Sequence, residues 1–466
     1  MSASLEQRLA DAIGVQNVKT APEDLAVYSF DAYSEGKLPT AVVIPSGTRE
    51  VCAIVKIARE FGEPVIARGA GTGLCGGAIS VNGGGVVLSF ARMHRLLELD
   101  APNRRARVQP GLVNLHLSQQ VANAKLFYAP DPASQRSSTI GGNIATNAGG
   151  PHCLSYGTTV NHVLALEIVD GNGNVFTTDV DDPGYDLTAV LVGSEGTLGI
   201  VTSAWVRLLR SPESTRVWLA AFPDIESASE AVSAIIGAGI IPTALEMMDS
   251  VIVKAVEAAF NAGYPTDAAA VLLIENAGFE DEMDAYEAAL QQIVERHGSL
   301  SWRAARTAAE RESLWAGRKG AVGAIGRITP NYYTQDVTVP RSVLPKALHA
   351  VEAAARENDL VVGNVFHAGD GNLHPLLAYD KRDRRQVGAV LSTGDAILRA
   401  AIELGGTISG EHGVGYEKRE AMTRIYTTDD LATMARVRSV FDPERMLNPE
   451  KIFPSGTRCI EVSPPQ

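Results

Sequence analysis

The amino-acid sequence predicts an α+β chain in two main parts, on three observations. In the first 210 residues, short strand and helix patterns mix without the regular repeat of βαβ units. A polar, proline-bearing stretch, Ser211-Pro212-Glu213-Ser214, then interrupts the pattern. Beyond it, strands alternate with helices richer in alanine and charge, an order packed most simply as a sheet with helices on one face. The length of 466 residues agrees, being too much for one ordinary core.

In chain order, 40–44 reads as a short strand and 48–61 as a helix, with Val51, Ile54, Val55 and Ala58 at helical spacing. The strand at 64–67 runs into a glycine loop, and further strands read at 86–89, 105–109 and 163–169. Asp170-Gly171-Asn172-Gly173 is a hairpin-type turn leading to Val175-Phe176. After the linker, strands read near 216–222, 242–246, 270–276 and 300–304. Helices read near 225–237, 249–260, 280–296 and 307–316. The last helical stretch, around 429–441, ends at Phe441-Asp442-Pro443 and leaves a polar tail.

Composition excludes several functions. A net charge of -13, from 41 basic and 54 acidic residues, repels phosphate backbones and argues against nucleic acid as a partner. No apolar run approaches the roughly 20 residues of a membrane-spanning helix. The start, Met1-Ser2-Ala3-Ser4-Leu5-Glu6-Gln7-Arg8, lacks the apolar core of a secretory signal, so a cytoplasmic location is expected. Cys52, Cys75, Cys153 and Cys459 are too scattered for an iron–sulfur or redox motif and read as reduced thiols.

Three glycine-rich segments carry the first functional signal. Arg68-Gly69-Ala70-Gly71-Thr72-Gly73 follows a strand directly, where glycines let backbone N–H groups close on an anion. Its spacing does not fit GxGxxG, and the Walker lysine is absent. The second segment runs Ser138-Thr139-Ile140-Gly141-Gly142-Asn143-Ile144-Ala145-Thr146-Asn147-Ala148-Gly149-Gly150, and its small residues and amides can lie against a planar ring. The third, Gly193-Ser194-Glu195-Gly196-Thr197-Leu198-Gly199-Ile200-Val201, leads into a strand. Each alone also suits a tight turn between packed elements; three in one domain favour a large dinucleotide site.

Together these segments resemble the FAD-binding loops of the vanillyl-alcohol-oxidase type of flavoproteins, the PCMH-type fold. Within that group the resemblance is to the branch of the glycolate oxidase FAD subunit and the D-lactate dehydrogenases, and it covers residues 28–453. It implies a two-part FAD domain over 1–210, a substrate (cap) domain over 211–415 with an antiparallel sheet covered by helices, and a helical segment, 416–466, returning to the FAD domain. It further implies that Arg68, Gly69, Ala70, Gly71, Thr72 and Gly73 hold the FAD pyrophosphate. Pro130, Asp131, Ser134, Thr139, Gly141, Gly142, Asn143, Ala145, Gly149, Gly150, Gly157, Glu195, Gly196, Gly199 and Ile200 would line the rest, with Asn448 from the last segment. Cys75 stands where relatives often carry serine. Thr72 and Gly73 offer no nucleophile for a covalent tether, so non-covalent FAD is expected, with Cys75 as packing.

A second constellation lies late in the chain. Val361-Val362-Gly363-Asn364-Val365-Phe366-His367-Ala368-Gly369-Asp370-Gly371-Asn372-Leu373-His374 reads as a strand, a glycine turn and a returning strand, which brings His367 and His374 to one side. With Glu411, from Ser409-Gly410-Glu411-His412-Gly413, they form a set that suits a divalent metal: zinc first, with Mn2+ or Fe2+ as alternatives. The same residues would also suit a zinc hydrolase with His412 or Asp370 as base. These segments resemble the metal-binding segments of D-2-hydroxy acid dehydrogenases, which implies His412 as the catalytic base. The resemblance also makes Arg318, in Trp315-Ala316-Gly317-Arg318-Lys319, the group that grips a substrate carboxylate through its planar fork, with Lys319 facing solvent.

Related enzymes acting on dicarboxylic substrates carry lysine where Thr334 stands, so a short 2-hydroxy acid such as glycolate or D-lactate is expected rather than 2-hydroxyglutarate. A non-catalytic FAD-binding partner subunit is the remaining alternative. Lacking a cysteine cluster, the chain is expected to pass electrons to a separate acceptor: an iron–sulfur partner subunit, an electron-transfer flavoprotein or a quinone. Any attachment to a membrane would then come through partners, and a homo-oligomer stays open.

Overall fold

The computed structural model describes residues 3–32 and 34–455 and divides into two units. One takes the chain up to Gly149, Thr158–Ser211 and the chain from Glu411 onward; the other takes Gly150–Gly157 and Pro212–Gly410. Against the expected boundaries, a short excursion at 150–157 belongs with the second unit, and 411–415 belongs with the first. Side chains explain both. His152 bonds to Glu275 and Leu154 packs beside Gly369, while the backbone of Val414 and Gly415 donates to Glu195. Met1, Ser2, Cys459 and the tail beyond Ser455 lie outside the described residues.

The first unit holds two main sheets. In one, Ala41–Val43 and Val65–Arg68 flank Val86–Ser89 in parallel, and Val18–Lys19 adds an antiparallel edge. The helix Thr48–Glu60 buries Val51, Ile54, Val55 and Ala58 against this sheet's core, as its spacing predicts. The other is a five-stranded antiparallel sheet: Leu96–Asp100, Arg105–Val108, Ile200–Arg207, Val163–Val169 and Val175–Asp179 in spatial order. Asp170 caps the predicted turn, its carboxylate accepting from Asn172 N and Asn174 N. The small-residue segment is not a loop throughout. Ile140–Thr146 is a short helix capped by the Thr139 hydroxyl and ended by Asn147 in the left-handed region, with Ile140 and Ile144 buried one turn apart.

The second unit is built on an antiparallel sheet. Its order is Ser301–Ala304, Ser214–Phe222, Ala270–Gly278, Ala244–Asp249, Val361–His367, Asn372–Tyr379 and Asn331–Thr334, with Val337–Thr338 also pairing on Asn372–Tyr379. The expected one-sided cover is corrected here: helices pack on both faces. Val217, Leu219 and Ala221 face a core shared with helices Ser250–Phe260 and Ala308–Ala324. The alternate residues Trp218, Ala220 and Phe222 are equally buried on the opposite face, where Ile225–Gly237 and Leu344–Glu357 pack. Such two-sided burial is what the unbroken run Ala270-Val271-Leu272-Leu273-Ile274 requires.

Candidate active site

The second unit gathers a charged cluster by strand register. Glu246 lies opposite His367 across the ladder, and His367 lies opposite Asn372. Opposed residues share a face, as do residues two apart, so Glu246, His367, Asn372 and His374 project together. The two imidazoles meet edge to face with centroids 5.1 Å apart, and ligating atoms of both lie within 4.8 Å of one another. Glu246 is fully enclosed, with oxygens 2.7 and 2.9 Å from His367 Nδ1. Its Oε2 also pairs with the Arg318 guanidinium. Burial pushes this carboxyl up, but Arg318 and His367 outweigh it and hold Glu246 below the ordinary value.

Arg318 reaches Glu246 from the helix Ala308–Ala324 and is itself buried. Its Nε is buried without a hydrogen-bond partner among the described residues. Lys319, next to it, is exposed and lies over the Trp315 ring. One turn back on this helix, Trp315 Nε1 donates to Glu275 at 2.6 Å, and the other Glu275 oxygen is 2.8 Å from His152 Nε2. Asp336 is buried as well. It accepts from Asn372 Nδ2 at 2.7 Å, Ser409 Oγ at 2.8 Å and Gly410 N at 3.0 Å, and its Oδ1 lies 3.9 Å from His374 Nδ1. The hairpin is thereby tied to Gly410, after which Glu411 and His412 follow directly in the chain.

Glu411 and His412 open the last segment of the first unit, with His412 Nε2 3.5 Å from Glu411 Oε1. Beyond them Glu195 Oε1 accepts from Val414 N at 2.7 Å, and Glu195 Oε2 from Gly415 N at 2.9 Å. The Glu195 carboxylate is thereby committed to this segment. Asn448, in the left-handed region, bridges the glycine loops by donating to Gly77 O and Glu195 O.

The glycine loops themselves divide by role. An added Cβ on Gly69 would stand 2.5 Å from Thr139 Oγ1, so the first two loops touch. Gly71 has φ +71 and lies over the Arg68 guanidinium, which supports the loop from below, while Ala70 is exposed and Thr72 half-buried. At Gly73 an added Cβ meets nothing within 4 Å, and Asn143 Nδ2 is buried without a partner among the described residues. That open cradle with a spare donor fits a bound dinucleotide. Gly141 and Gly199 are required by packing, against Pro110 and Ile168, and the Ile200 side chain lies in the core. Pro130 O accepts from Asn114, Ser134 O ends a turn, Ala145 O accepts from Glu195 N, and Gly196 has positive φ. Asp131 is half-buried and Gly149 ends the second loop within this unit. Gly150 and Gly157 fall in the other unit, on either side of His152.

Residues 39–179 match the family described as FAD binding domain, and 211–452 match FAD linked oxidases, C-terminal domain. The chain belongs to the FAD-linked oxidases. This FAD-linked oxidase is 44% identical over 443 residues to glycolate oxidase subunit GlcD of Escherichia coli K12, covering 94% of this chain and 89% of the relative. It is 33% identical to a D-lactate dehydrogenase of Anaerostipes hadrus over 92% of each chain. The solved structure of p-cresol methylhydroxylase shares the fold, with a TM-score of 0.79 over 96% of each chain at 16% identity. The expected PCMH-type fold and FAD-dependent oxidoreductase class therefore hold.

Glu246, Asp336, Glu275 and His152 are the polar groups sequence reasoning missed. For Glu246 and Glu275 the available signal was a lone acid inside an apolar strand, as in Ala244-Leu245-Glu246-Met247-Met248, whereas Asp336 and His152 lie outside the strands and carry no such mark.

Proposed function

We propose that this FAD-linked oxidase converts a small 2-hydroxy acid, glycolate or D-lactate, to the 2-oxo acid. The observation that carries the proposal is the buried Arg318–Glu246–His367 array beside His374, a carboxylate-binding group next to a pair of imidazoles. The named relatives supply the substrate class. Thr334, half-buried with its hydroxyl on a backbone oxygen, offers no second cation and so favours a short acid over 2-hydroxyglutarate.

The donor set suits a divalent metal. Glu246 beside His367 Nδ1 keeps the proton there and turns Nε2 outward as a ligand, the usual orientation of a metal-binding histidine. His367, His374 and Glu411 would hold the ion, zinc before Mn2+ or Fe2+. Arg318 binds the substrate carboxylate, and His412 takes the hydroxyl proton. When bound, the metal lowers the hydroxyl pKa and FAD, held non-covalently, supplies the two-electron acceptor. Electrons then leave to a separate acceptor, an iron–sulfur partner subunit, an electron-transfer flavoprotein or a quinone; that the glycolate oxidase relative is a subunit favours a partner protein. Among the described residues no helix is long and apolar enough to cross a membrane.

A panel of 2-hydroxy acids with an artificial dye acceptor, with and without chelator, tests the reading. Turnover of glycolate or D-lactate that chelation abolishes is expected. A strong preference for 2-hydroxyglutarate, or activity untouched by chelation, contradicts it. Hydrolase activity without a flavin band near about 450 nm contradicts the oxidoreductase assignment itself.

A further inference from the structure

We infer that Glu246 is a positioning residue whose one carboxylate serves two sites at once, coupling metal retention at His367 to substrate-carboxylate recognition at Arg318. The inference rests on the reading of His367 as a ligand and Arg318 as the carboxylate-binding group, and it adds the link between them.

Glu246 is 1% exposed, in the middle of the strand Ala244–Asp249, and each oxygen is in use. Both oxygens lie within 2.9 Å of His367 Nδ1, and Oε2 also pairs with Arg318. A carboxylate so enclosed is stable only while its Arg318 counter-ion and its His367 donor stay in place. Removing the charge has two separate consequences. The Nδ1 proton of His367 loses its anionic acceptor, so the tautomer that turns Nε2 outward is no longer enforced. Arg318, 7% exposed, becomes a buried cation with no counter-ion among the described residues and leaves the orientation that its pairing with Glu246 sets. A packing role for Glu246 predicts lost stability alone. The coupling role predicts lost metal affinity and lost substrate affinity together.

Glu246→Gln in the FAD-loaded chain tests this. Zinc affinity is read by chelator competition and metal content by mass spectrometry. KM is read at saturating zinc, and oxalate binding by the flavin absorbance shift in metal-free protein. Zinc affinity is expected to fall ~10–100-fold, KM to rise, and oxalate to bind more weakly even without metal. Zinc affinity and KM both within about twofold of the parent, whatever the change in Tm, overturn the inference. If Glu246→Gln does not fold, Glu246→Gln/Arg318→Met, which buries no unpaired cation, is read for zinc affinity, with Arg318→Met as reference; the same fall is expected, and no fall overturns it. His367→Ala and Arg318→Ala separate the two levels. If they lose zinc and substrate affinity respectively while Glu246→Gln loses neither, only the link fails; if they lose neither, the proposed function fails.

Discussion

Glu195→Ala is expected to destabilise the first unit by about 2–4 kcal/mol, a figure built from the two N–H groups that Glu195 satisfies. The Gly415 N–H, in a buried residue, donates to it at 2.9 Å, and the Val414 N–H, in a half-buried residue, donates at 2.7 Å. Alanine leaves the first unsatisfied at about 1–3 kcal/mol and removes a bond worth about 1 kcal/mol from the second. Relaxation cannot easily recover this. Gly415 has φ +54, and an added Cβ there would lie 2.1 Å from Cys75 O, so this stretch of backbone already rests on Cys75. Burial pushes the Glu195 carboxyl up, while Gly415 N, Val414 N, Lys451 and Lys418 act the other way. Glu195→Gln keeps one acceptor oxygen and should lose about half as much. Urea unfolding followed by circular dichroism and by flavin fluorescence measures both variants. A Glu195→Ala protein within about 1 kcal/mol of the parent would refute the reasoning.

Three further outcomes follow from the same geometry. Gly73→Ala meets open space and should leave the Tm of FAD-free protein unchanged while weakening FAD binding roughly tenfold, about 1.4 kcal/mol; Gly71→Ala, at φ +71 against Arg68, should lower both, and normal FAD titration of Gly73→Ala counts against the cradle. Burial raises the Asp249 carboxyl to about 6, against hydrogen bonds from Ile252 and Asn364, so the folded chain holds that proton more tightly than the unfolded one. Its stabilising contribution is full below about pH 4 and lost as pH rises through about 6, a change of about 3 kcal/mol; Asp249→Asn should lack this component in a pH series of urea unfolding. Burial lowers the Lys451 ammonium to about 8, against Glu450 and Glu195. The unfolded chain then binds more protons between about pH 8 and 10.5, so stability rises across that window, and Lys451→Met should not show the rise when Tm is followed against pH.

The sequence made local features legible and distant ones obscure. The helix Thr48–Glu60 and the hairpin carrying His367 and His374 depend on residue spacing within about one element, and spacing is what a sequence displays. Helix Ala308–Ala324 runs through Gly317 and well past its expected end at 316. In the fold that glycine is a contact surface: an added Cβ would stand 2.7 Å from the Tyr264 ring. The helix Arg384–Glu403 likewise contains a glycine used for packing, Gly394 against the Tyr333 ring.

Site residues divide the same way. His367 and His374 share a face through a short turn, whereas Glu246 reaches His367 only through a ladder pairing across 121 positions. Asp336 likewise binds Ser409 and Gly410 from more than 70 positions away. Non-local register is set by the whole core, so no motif displays it. Glu195 carries a contact that its motif does not display. Its place in a glycine loop reads as cofactor contact, but its side chain turns to the segment bearing His412.

Anaerobic mixing of the FAD- and zinc-loaded chain with glycolate or D-lactate tests the central claim most directly. The flavin band at about 450 nm should bleach in the parent protein and persist in His412→Ala and in chelated protein, since in the proposed function His412 removes the proton and the metal assists before the electron pair leaves the α-carbon. A band that no 2-hydroxy acid bleaches, in protein shown to hold both FAD and zinc, would contradict the account.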